Sequence, residues 1–85
     1  MTKEEEYSGW KNYATWNVSL TLNNDYGLYT GAVEYMKTHP ESKHPYVNFV
    51  KSCGLDTQKT PDRINWISDK LDYSALNDMM RELLA

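Results

Sequence analysis

The sequence predicts an all-α fold, a single domain of four to five short helices. Three observations carry this reading. Apolar residues recur at helical spacing along most of the chain. Proline and glycine stand where helices would start and stop. The one strand-like alternation, Trp16, Val18, Leu20 and Leu22 against Asn17, Ser19 and Thr21, has no second run to pair with.

The elements follow in chain order. Residues 1–8 read as a flexible, acidic N-terminal arm, and residues 9–85 as the helical domain. Tyr13, Trp16 and Leu20 share one helical spacing, and Ala14 and Val18 share another. A helix is therefore expected over roughly 13–23, capped by Asn12 or Thr15. Asn24 and Asp25 mark a second start, with the Asp25 charge at the positive end of the helix dipole. Leu28, Ala32, Tyr35 and Met36 line one face of this helix, with Tyr29 and Val33 beside them. Gly27 and Gly31 weaken it by up to about 1 kcal/mol each relative to alanine, and allow a neighbouring backbone to come close. Pro40 pushes His39 out of helical geometry, so the helix should end near Thr38.

His39–Pro45 is a connector. Pro45 is tolerated in the first turn of a third helix, whose apolar face is Tyr46, Phe49, Val50 and Cys53 and whose stop is Gly54. Thr60-Pro61-Asp62 reads as a helix start, with a capping hydroxyl, proline at the first helical position and then an acid. Ile64, Ile67 and Leu71 would be its buried face, flanked by Trp66. Asp72 or Ser74 caps a last helix with an apolar stripe of Leu76, Met79, Met80, Leu83 and Leu84. Arg81 lies in its final turn, where a cation is favoured.

Composition bounds the function. Eighty-five residues make one domain. A chain of this size buries only about 60–65% of its unfolded surface, and its three Trp, seven Tyr and four Met supply much of what a core needs. Cys53 is the only cysteine, so there is no internal disulfide and no multi-thiolate metal clip. No apolar run approaches the roughly 20 residues of a membrane span. The polar, acidic start is wrong for a secretory signal, and a cytoplasmic location is expected. The net charge is -3, divided as -1 over residues 1–53 and -2 over residues 54–85. Neither part is basic, which disfavours a nucleic-acid binder.

No catalytic grouping stands out, and the chain is expected not to be an enzyme and to need no cofactor. His39, Glu41 and His44 are too few for a zinc site in a proline-stiffened loop. Asn23-Asn24-Asp25 offers too few oxygens for calcium and reads as a turn with a cap. Cys53 is expected in the core, since the dipole at a helix C-terminus opposes a reactive thiolate. Asn17-Val18-Ser19 matches a glycosylation acceptor only by chance.

Residues 9–29 are the most distinctive part of the chain, with two Trp, three Tyr and four Asn in twenty-one positions. Trp16 either joins the core or anchors a partner, with Asn12 and Thr15 as helix caps in the first reading. Trp10 either staples the arm to the fold or stands exposed. The run from Asn12 to Tyr29 resembles a group of small uncharacterised proteins of phages, plasmids and some bacterial and archaeal genomes. Their pattern is Asn, two residues, Thr-Trp-Asn-Val, an aliphatic stretch, then Asn-Asp and Leu-Tyr. Asn12, Thr15, Trp16, Asn17, Asn24, Asp25, Leu28 and Tyr29 carry the likeness. Thr21 stands where that pattern has a bulkier residue, often Trp. The resemblance implies no reaction, but it implies a mobile element, whose short proteins often bind a host protein.

The expected function is thus a small protein-interaction module, with Trp10, Asn12, Thr15, Trp16, Asn17 and Asp25 as its partner-binding residues. Two alternatives stay open. A nucleic-acid-associated regulator would use Lys3, Lys11, Lys37, Lys43 and Lys51 as a patch, with aromatic rings stacking on bases. A structural homodimer would join the wide apolar face of the second helix and the Met79-Met80 stripe.

Overall fold

A computed structural model describes residues 9–84 of the chain. The arm expected over residues 1–8 lies outside the described residues. The fold is all-α, with helices α1 (Tyr13–Asn24), α2 (Tyr26–Thr38), α3 (Pro45–Ser52) and α4 (Tyr73–Glu82).

Local chemistry explains why the first helix forms. The Asn12 side chain accepts the Thr15 backbone N–H at 2.9 Å and so caps α1. Thr15, Val18, Ser19 and Leu22 are then buried along one side, at spacings of three and four. The strand-like alternation is not used, since Leu20 stays exposed and Trp16 half-buried. Asp25 alone separates α1 from α2. Its backbone N–H bonds to the Thr21 carbonyl and closes α1, while its carboxylate accepts the Leu28 N–H at 2.9 Å and opens α2.

The third helix begins at Pro45. Its next N–H, that of Tyr46, finds the Asn77 side chain of α4 at 3.1 Å. The helix ends in a paired turn. Gly54 N–H bonds to the Lys51 carbonyl and Leu55 N–H to the Val50 carbonyl, with Gly54 in the left-handed region at φ 74°. This turn lays Leu55 against the core and leaves Cys53 outside. Cys53 is therefore exposed rather than packed, which corrects the core position expected for it. The helical face it belonged to stops one residue earlier, at Ser52.

All four helices feed one core. Val18 and Leu22 come from α1, Ala32 and Met36 from α2, Tyr46, Phe49 and Val50 from α3, and Leu76 and Met80 from α4. At Gly31 the close neighbour is the Phe49 ring, 3.5 Å from where a Cβ would sit, and not another backbone.

Residues 60–71 form no helix, against the expectation. Thr60, Pro61, Asp62 and Arg63 make a β-turn, closed by Arg63 N–H to the Thr60 carbonyl at 2.8 Å. Arg63 sits at φ 70°, which a helix cannot accommodate. Lys59 and Asn65 form an isolated antiparallel bridge beyond it. Proline suits the second position of a β-turn as well as the first position of a helix, because both need φ near -65°. The connection from 53 to 72 carries its own core residues, Trp66 and Leu71. Trp66 is only 2% exposed, so it is core and does not flank a buried face.

Tyr46 ties α3 to this connection. It is fully buried, and its hydroxyl donates to the Trp66 carbonyl at 2.7 Å. Burial pushes its phenol well above the ordinary tyrosine value, and the nearby Tyr73 adds to the shift. An unfolded chain releases this proton above about pH 10, whereas the folded chain keeps it. The linked stability is intact below that pH and falls above it, by up to about 1.4 kcal/mol per pH unit. Chemical denaturation between pH 8 and about pH 11 should show this alkaline loss, and Tyr46→Phe should make it shallower. At neutral pH the same substitution should cost about 1 kcal/mol, because the Trp66 carbonyl loses its donor.

Candidate functional site

The Asn12–Thr15–Asn17 segment was expected to meet a partner, and the structure shows where its polar atoms go. Asn12 Oδ1 accepts both the Thr15 N–H and the Thr15 hydroxyl, the latter at 2.7 Å. Asn12 Nδ2 donates to the Lys70 carbonyl at 2.8 Å. Thr15 Oγ1 in turn accepts the Asp72 N–H at 3.0 Å. Asp72 is the residue whose carboxylate caps α4 through the Ala75 N–H. Thr15, with no exposed surface, therefore joins the N-terminal caps of α1 and α4.

Asn17 does the same for the Thr60–Arg63 turn. It is 2% exposed, on the side of α1 that this turn covers. Its Oδ1 accepts the Thr60 hydroxyl at 2.6 Å, and its Nδ2 donates to Asp62 Oδ2 at 2.7 Å. Thr60 Oγ1 also accepts the Ile64 N–H, and the Tyr13 hydroxyl donates to Asp62 Oδ2 at 3.1 Å. Among the described residues no buried side-chain nitrogen or oxygen lacks a partner. In the sequence alone, Thr60-Pro61-Asp62 signals only a helix start. Their pairing with Asn17 spans more than forty residues, and nothing local announces it.

The outward side of α1 and the start of α2 are built differently. Asn17, Leu20, Thr21, Asn24, Asp25, Pro61 and Asp62 line a shallow groove of about 310 Å³ between the helices and the turn. The Tyr13 hydroxyl reaches Asp62 at the edge of the groove, and Tyr26 follows Asp25 in the chain. Tyr26 is 83% exposed, far more than any other large apolar side chain that the structure describes.

The remaining site residues separate. Trp10 is half-buried against the core and lines a second depression with Met79 of α4. Trp16 is half-buried and tilts against Tyr13, with ring centroids 5.5 Å apart. His39 closes α2 and stacks on Tyr35 at 4.3 Å. It shares a wide depression with Glu41, Lys43 and His44. Among the described residues no three His, Cys, Asp or Glu side chains are grouped to hold a metal ion.

Two substitutions separate the supporting role of Asn17 from that of the Asp62 charge. Asn17→Ala strands the Thr60 hydroxyl and removes a donor to Asp62, and should lower unfolding stability by about 2–3 kcal/mol in urea denaturation. Asp62→Asn keeps an oxygen that Asn17 and Tyr13 can donate to, and should cost less than about 1 kcal/mol.

Residues 3–85 match a family of unknown function, DUF7249, and the chain belongs to that family. No curated protein and no solved structure matches it.

Proposed function

We propose that this DUF7249 protein is a small non-enzymatic interaction module that binds and modulates a partner or host protein. The observation that carries the reading is where apolar surface lies. Among the described residues five large hydrophobic side chains are exposed, and four of them, Tyr13, Leu20, Tyr26 and Tyr29, fall within residues 13–29. Single exposed apolar residues are ordinary, and their concentration in this one segment supports a contact surface there. Tyrosine suits that role, offering a large ring and a hydroxyl at small entropic cost. In this reading Asn12, Thr15 and Asn17 hold the surface in shape, while Leu20, Asp25, Tyr26 and Tyr29 meet the partner, with Trp16 beside them. The acidic balance of the chain favours a protein partner over nucleic acid.

Affinity capture from lysate of the native source, with and without nuclease, tests the proposal. Wild-type protein should retain one dominant protein after nuclease treatment. The double variant Leu20→Ser/Tyr26→Ser should lose it while melting within about 4 °C of wild type. Capture that disappears with nuclease, or that the variant retains in full, would contradict the proposal.

A further inference from the structure

We infer that the groove beside Asp25 and Asp62 receives a basic side chain, Arg or Lys, from an apolar-flanked segment of the partner protein. This rests on the reading of the protein as an interaction module and names the chemistry of its partner.

The first argument is the state of the two carboxylates. Asp62 is held through Oδ2 by Asn17 and Tyr13, and Asp25 through Oδ1 by the Leu28 N–H. Their other oxygens, Asp62 Oδ1 and Asp25 Oδ2, accept no hydrogen bond among the described residues. Neither carboxylate is in an ion pair, since the ion pairs among the described residues are Lys37–Glu34 and Arg81–Asp78. Both acids are already oriented, so a cation that meets them immobilises little on this side.

Charge and shape give the second argument. No Lys or Arg occurs between Lys11 and Lys37, so α1 carries no cation and α2 none before Lys37 in its last turn. Arg63, next to Asp62 in sequence, lines a different depression with Ala14 and Ile64. Leu20 and Pro61 supply apolar walls for the methylene stem of a long basic side chain. A phosphate-bearing partner would be repelled here.

The test uses the full chain and a phage-displayed library of random dodecapeptides, followed by fluorescence anisotropy with the most enriched peptide. Asp25→Asn/Asp62→Asn removes both charges, yet leaves amide oxygens to cap α2 and to accept from Asn17. Asp56→Asn/Asp69→Asn, at two exposed positions away from the groove, changes net charge equally and serves as control. Enriched peptides should carry Arg or Lys beside an apolar residue. Their affinity should fall about tenfold in the groove variant and less than about twofold in the control, more steeply at low salt. Enriched peptides without basic residues, or equal losses in both variants, would overturn the inference and leave the interaction reading standing. A library that yields no enrichment would overturn both.

Discussion

The twenty-residue connection between α3 and α4 sets the problem that this fold has to solve. It forms no helix, and its one bridge satisfies few of its backbone groups. Yet it must stay ordered, because it delivers Trp66 and Leu71 to the core. Buried backbone polar groups left without partners would cost about 1–3 kcal/mol each. Turns within the connection pair many of these groups, and side chains from elsewhere pair others: Asn12 the Lys70 carbonyl, Thr15 the Asp72 N–H, and Tyr46 the Trp66 carbonyl. Asn17 fixes the Thr60 hydroxyl, which in turn takes the Ile64 N–H. The first helix is therefore a polar frame for the connection as well as a wall of the core.

This gives the Asn-x-x-Thr-Trp-Asn run a physical meaning. Asn12, Thr15 and Asn17 point their polar atoms inward and to the side, against residues 60–72. They have shapes that few residues could replace, since Asn17 must donate and accept at once. One turn further along α1 Leu20 is exposed, and it lines the groove together with Asn17, Asp25 and Asp62. Asp62 belongs to both frame and groove: Asn17 and Tyr13 hold one of its oxygens, and the residue lines the groove.

How much could be read from the sequence depended on range. The caps at Asn12, Asp25 and Asp72 were legible because a cap and its N–H lie three residues apart. Gly54 was legible as a stop for the same reason. The Thr60-Pro61-Asp62 turn was misread because its local chemistry is common to a helix start and a β-turn. What decides between them is Asn17, 43 residues away from Thr60. Cys53 was misplaced because its face was extended past the helix end. The groove is illegible in the sequence for a related reason: it joins α1 to residues 61 and 62, and no spacing in the chain shows that they meet.

The measurement that bears most directly on this account is native-state hydrogen exchange, followed amide by amide. If α1 holds the connection as part of the cooperative core, the amides of Arg63, Ile64 and Asp72 should exchange only through the global opening that also exposes Val18 and Leu22. Protection of those loop amides several kcal/mol below that of Val18 and Leu22 would mean that the connection opens alone. The hydrogen bonds from Thr15 and Asn17 would then not be what holds the molecule together.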